Sequence, residues 1–226
     1  MSIDVLRQAP SDDAAADLDR ALGLLNEIRR GERGETLRVY RPAPTMAFGQ
    51  RDARLPGFAA AQEAARAAGF EPLIRQAGGR AAAYHQGCLV VDHIAPERDA
   101  IAGSRRRFAS FAELFVGVFA DLGLPSAIGP VPGEYCPGEF SVHGQVPQGP
   151  AVKLVGTAQR VVSGAWLFSS VLVIERAEPL RVVLTDCYQE LGLDWNPETA
   201  GAAEDCLPGL TVDAVEVALL ARYQLG

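Results

Sequence analysis

A chain of 226 residues, 48% hydrophobic and 22% charged, has enough apolar material for a substantial core and the makeup of an ordinary globular protein. Its formal net charge of −7 leaves no positive field to gather a polyanion, which argues against nucleic acid as a partner. The opening MSIDVLRQAP lacks the apolar run of a secretory leader and no stretch reaches the roughly 20 apolar residues of a membrane span, so a cytoplasmic protein with no membrane partner is expected.

From Ser11 to Arg30, Leu18, Leu22, Leu25 and Ile28 recur at helical spacing between an acidic start and the Gly31 stop, which predicts a first helix. Glu35 to Arg41 alternates as a strand, Thr45 to Gly49 reads as a second, and an alanine-rich helix runs to Ala68. Glu71 to Arg80 reads as a short strand entering a glycine turn, with a further strand over Ala81 to Ile94, together a hairpin-like unit. The run Arg105-Arg106-Arg107 reads as a solvated loop. Phe111, Phe115, Val118 and Leu122 then share one stripe of a helix over Phe108 to Leu122, packed on the sheet.

Gly129 to Gly149, rich in proline and glycine, reads as long loops around a short strand at Glu139 to Val142. Loops of this kind often carry function. Lys153 to Val162 and Ala165 to Ile174 read as strands paired around Ser163-Gly164, the second apolar enough to be central. Helices near Arg181 to Leu191 and Thr211 to Leu225 close the chain. Strands that follow strands, with helices grouped around them, predict an α+β fold: a mixed, largely antiparallel sheet flanked by helices, in one domain over 1–226.

Of the 21 basic residues, Lys153 is the only lysine. A lysine kept in so arginine-biased a chain suggests a task for a compact, mobile ammonium, the alternative being a chance lysine at a strand edge. Gly78 and Gly79, between Arg75 and Arg80, would let backbone N–H groups approach an anion, although a Gly-Gly pair also makes an ordinary turn. Cys136 stands in a loop, Gly133 to Glu139, as either a nucleophile or an idle thiol. Cys88, Cys136, Cys187 and Cys206 are too scattered for a zinc site or a disulfide framework. The candidate bases are His85, His93 and His143. A metal cluster of His85, Cys88, Asp92 and His93 is not expected, because strand alternation divides them between two faces.

Taken together, Arg75-Gln-Ala-Gly-Gly-Arg-Ala-Ala-Ala-Tyr-His85, Lys153-Leu-Val-Gly-Thr-Ala-Gln-Arg160 and the apolar strand to Ile174 resemble the lipoate–protein ligase and octanoyltransferase superfamily, which includes biotin–protein ligases. The resemblance implies an enzyme that attaches lipoate or octanoate to a lysine of a lipoyl domain through an acyl-adenylate, with ATP and Mg2+. Carried over, Arg75, Gly78, Gly79, Arg80, Tyr84 and His85 would bind the acyl and phosphate groups. Lys153 would contact the reacting oxygens, with Gly156, Thr157 and Ala158 shaping the pocket floor. The Asn-Asp pair that precedes the lysine in that family has no counterpart, Glu139 being the nearest acid. The Gly-Gly-Arg-Ala form with an upstream cysteine resembles instead a cysteine-dependent octanoyltransferase, in which Cys136 would carry a thioester and no cofactor would be needed. A non-catalytic acyl or cofactor binder is the third reading. Implied partners are the lipoyl domain of a 2-oxoacid dehydrogenase, a glycine-cleavage carrier protein, or acyl carrier protein.

Overall fold

The computed structural model describes residues 3–225, so residues 1–2 and 226 of the expected 1–226 domain lie outside the described residues. The fold is α+β. A seven-stranded sheet carries β1 (Asp4–Arg7), β2 (Thr36–Tyr40), β6 (Cys88–Pro96), β10 (Ala165–Val173), β9 (Ala151–Val162), β8 (Val142–Gln145) and β7 (Ser126–Ile128), in that spatial order. Every neighbouring pair is antiparallel except β1 with β2. A second sheet has three strands, with β3 (Thr45–Phe48) between β4 (Glu71–Ile74) and β5 (Ala82–Tyr84).

Helix α1 (Ala14–Arg29) starts at Asp13, whose carboxylate accepts the Ala16 N–H at 2.9 Å. Its Leu24, Leu25 and Ile28 pack with Ile94 and Leu167 on one face of the large sheet, each side chain contributing about 1.5–3 kcal/mol. Helices α3 (Ser104–Asp121) and α6 (Val212–Leu225) cover the opposite face, where Phe115 and Leu219 meet Leu37, Leu89 and Phe168. Helices α2 (Phe58–Ala67) and α4 (Ala177–Leu191) enclose the small sheet around Met46 and Phe48, and a single turn, α5 (Ala203–Cys206), precedes α6.

Several expectations need correction. The hairpin-like unit does not exist: β4 and β5 lie on either side of β3 and never pair. The strand expected over Ala81 to Ile94 breaks after Tyr84, where the Cys88 N–H turns back to the His85 carbonyl, and its two halves enter different sheets. The arginine run is the first turn of α3, with Arg107 buried against Glu97 at 2.6 Å. The short strand is Val142–Gln145, three residues beyond its expected start, while β1 and β7 were too short to show a pattern.

Candidate functional site

The face of the large sheet beneath α1 is set by strand register. Gly156, Val171, Val90 and Tyr40 form one row across β9, β10, β6 and β2, and Ala158, Ser169, Asp92 and Arg38 form the next. In the second row Arg38 is buried between Asp17 at 3.0 Å and Asp92 at 3.1 Å. The first row is apolar as far as Tyr40. Over these rows, Leu18 and Leu22 of α1 and Leu73 of β4 help to enclose a cavity of about 760 Å³, a size suited to a small ligand.

The glycine turn forms one wall. Because β4 and β5 flank β3, the chain between them crosses the end of β3 at Gly49, where a Cβ would stand 2.0 Å from the Gly79 carbonyl oxygen. Gly49 donates its N–H to Asp52 at 2.8 Å, and the same buried carboxylate accepts from Arg80 Nη1 at 2.9 Å. Gly79 has φ 103°, a left-handed state, and a Cβ there would lie 2.3 Å from Arg75 Nη2 and 2.9 Å from Cys136 Sγ. The turn is thereby held against the cysteine.

Donors converge on that sulfur. The Arg80 N–H points to Cys136 Sγ at 3.1 Å and Arg75 Nη2 lies at 3.6 Å, while Arg75 also donates to the Arg80 carbonyl at 2.8 Å. Both stabilise negative charge on sulfur. Cys136 itself has φ 42°. Its N–H donates to the Tyr188 hydroxyl at 2.8 Å, and that hydroxyl donates to the Ala81 carbonyl at 2.9 Å.

Lys153, on β9, is only 2% exposed. Its ammonium donates to the carbonyls of Tyr135 at 3.1 Å and Cys136 at 2.7 Å, and lies 3.1 Å from Glu134 Oε2. The other Glu134 oxygen accepts from the Gly138 N–H at 3.1 Å and the Ser141 hydroxyl at 2.9 Å. The acid beside the lysine is therefore Glu134 and not Glu139, whose carboxylate pairs with Arg105 on α3. A loop sequence does not say which acid folds inward.

Arg75, Gly78, Gly79, Tyr84, Cys136, Lys153, Gly156, Thr157 and Ala158 all line the cavity. Two expected residues do not. The Arg80 side chain turns to Asp52 and contributes its backbone N–H instead. His85 follows directly on the edge strand β5, with Nδ1 accepting the Gly87 N–H at 2.8 Å and Nε2 donating to the Arg176 carbonyl at 2.9 Å, so both nitrogens are engaged. His93 packs among Phe111, Trp166 and Tyr223, and His143 bonds the Gly129 carbonyl. None of the three histidines lines the cavity. Burial pushes the thiols of Cys88 and Cys187 up to about 12 and that of Cys206 up to about 11, leaving Cys136 as the half-buried thiol. Tyr188, Glu134 and Asp52 carried no signal in the sequence.

The profile of the lipoyl protein ligase A/B catalytic domain matches residues 13–221. An octanoyl-[GcvH]:protein N-octanoyltransferase from an Exiguobacterium species is 28% identical over 188 residues, covering 78% of this chain and 64% of that protein. One of the same name from Geobacillus kaustophilus is 24% identical over 196 residues, covering 86% of this chain and 66% of the relative. The chain thus spans just under two thirds of the length of these curated relatives. Among solved structures, lipoate-protein ligase A bound with ATP superposes with a TM-score of 0.76 at 17% identity, covering 100% of this chain and 85% of the other. A putative lipoate protein ligase from T. acidophilum with bound lipoic acid gives 0.75 at 17% identity, with 100% and 86% covered. These superpositions speak for the fold, and the profile speaks for descent: the chain belongs to the lipoyl protein ligase A/B catalytic domain family.

Proposed function

We propose that the protein is a cysteine-dependent acyltransferase that moves an octanoyl group between lysines of carrier proteins through a thioester on Cys136. The observation that carries this reading is the convergence on Cys136 Sγ of the Arg80 N–H at 3.1 Å and Arg75 at 3.6 Å, in a cavity whose floor is apolar. In the first step the sulfur attacks the carbonyl of an octanoyl-lysine amide. A C–S bond forms, the C–N bond breaks and the leaving amine takes the proton. In the second step the amine of the acceptor lysine attacks the thioester, a C–N bond forms, the C–S bond breaks and a proton returns to sulfur. An amide is exchanged for an amide, so no nucleotide is consumed.

The floor row supports a medium-length acyl group. From Gly156 to Val90 are two strand steps, about 10 Å, the reach of an extended eight-carbon chain before Tyr40 closes the row. ATP with Mg2+ fits the same cavity poorly. Asp92 is held by Arg38 and Glu139 by Arg105, while the Lys153 ammonium is occupied by the cysteine loop. The name of the curated relatives, octanoyl-[GcvH]:protein N-octanoyltransferase, supports octanoyl-GcvH as the donor and a protein as the acceptor in this reading. A lipoyl domain is the acceptor in this reading.

The test is intact-mass analysis after mixing the protein with octanoylated GcvH in the absence of ATP. An octanoyl adduct is expected on the wild type and none on Cys136→Ala, with transfer to a lipoyl domain lost in that variant. Transfer that demands ATP and survives Cys136→Ala would sink the proposal in favour of the ligase reading.

A further inference from the structure

Cys136 holds a backbone state, φ 42°, that side chains other than glycine adopt only when their surroundings impose it. Both polar groups of its backbone are tied down. Lys153 takes the carbonyl at 2.7 Å, and the N–H is taken by Tyr188, a residue of α4 that contributes nothing to the cavity lining. The Tyr188 hydroxyl accepts from Cys136 N–H at 2.8 Å and donates to the Ala81 carbonyl at 2.9 Å. Ala81 follows directly on Arg80, whose own N–H addresses the sulfur at 3.1 Å. One hydroxyl thus joins the backbone on both sides of the N–H···S contact.

The phenol is well fixed for this work. It is 3% exposed, its ring packs against Trp195 with centroids 5.6 Å apart, and its two hydrogen bonds leave the hydroxyl no freedom to rotate. Burial holds its ionisation well above the usual tyrosine range, so the hydroxyl keeps its proton to donate at neutral pH. The bridge also removes the cysteine's own N–H from the reaction. Whatever stabilises the oxyanion of the tetrahedral intermediate must come from other donors on the cavity wall.

We propose that Tyr188 is a positioning residue for thioester formation, holding Cys136 in its left-handed state and at the Arg80 N–H without touching substrate. The inference rests on the reading of Cys136 as nucleophile. Tyr188→Phe keeps the ring and deletes the bridge. Single-turnover acylation of Cys136 is expected to fall at least on the order of 10-fold, with KM for the octanoylated carrier within about twofold of wild type. Alkylation of Cys136 by iodoacetamide, which needs no carrier, is expected to change by a similar factor while thermal unfolding still shows a folded protein. A folded variant with wild-type acylation and alkylation rates, or one altered only in KM, would overturn the proposal. Should the variant fail to fold, amide hydrogen exchange at Cys136 in the wild type decides: slow exchange supports the bridge, and exchange as fast as in an open loop refutes it. Full transfer by Cys136→Ala would overturn the nucleophile reading separately, whatever Tyr188→Phe does to alkylation.

Discussion

At the scale of single residues, the two glycines of the turn look alike in sequence and differ in space. A Cβ on Gly78 meets nothing within 4 Å, whereas on Gly79 it would strike Arg75 at 2.3 Å and Cys136 Sγ at 2.9 Å in a left-handed backbone. Gly79→Ala is therefore expected to abolish most acyl transfer, on the order of 10²-fold or more, because both donors at the sulfur shift. Gly78→Ala should transfer at close to the wild-type rate, and stopped assays on the two purified variants check this. Sequence spacing singled out the pair as a unit, since nothing local distinguishes a glycine required by a neighbour 57 residues away, at Cys136, from one that is free. Lysine rarity, by contrast, pointed to Lys153 without any spatial information, and that residue does line the cavity.

At the scale of elements, Lys153 is a buried tie between β9 and the cysteine loop as well as part of the cavity lining. At 2% exposure an arginine is poorly tolerated there, because a guanidinium is larger than the ammonium it would replace and points its donors in fixed directions. Lys153→Arg should lose transfer on the order of 10²-fold and also unfold at lower temperature. Lys153→Met should cost about 3–5 kcal/mol in denaturant unfolding, since it leaves the Glu134 carboxylate buried and unpaired, and adding Glu134→Gln should restore part of that loss. A double variant no more stable than Lys153→Met would show that the pair is not coupled. The β9–β10 hairpin was legible because its turn and both strands are contiguous. Insertion of β3 between β4 and β5 was not, because alternation reveals that a segment is a strand and says nothing of its neighbour.

At the scale of the whole molecule, α+β architecture followed from the order of strands and helices, but the division into a seven-stranded and a three-stranded sheet did not. The division has an electrostatic counterpart, with His93 buried on the large sheet and His85 at the edge of the small one. Burial is the main cause that holds both imidazoles below their ordinary range, more than the neighbouring Glu35 raises His93. Both are neutral in the folded state at neutral pH. As pH falls through the unfolded imidazole value of about 6.5, the unfolded chain takes up protons more readily than the folded chain, so the contribution of these two groups to stability declines toward acid and is constant above neutrality. The unfolding temperature is expected to drop between pH 7 and pH 5, and less steeply in His93→Gln, which can still donate to Glu35. Parallel profiles for wild type and variant would remove His93 as a source of the acid sensitivity.

The bridge from Tyr188 to Cys136 spans 52 residues of sequence and connects a late helix to an early-made loop. During synthesis the thiol leaves the ribosome before the residue that orders its backbone has been added. Arg75 and Arg80 are already present at that moment and can reach the sulfur directly, but the bridge from their turn to the Cys136 backbone N–H forms only when α4 docks against the small sheet. On the proposed role of Tyr188, a competent sulfur requires α4 to be docked, and its reactivity then reports completion of the tertiary structure and not of any segment within it.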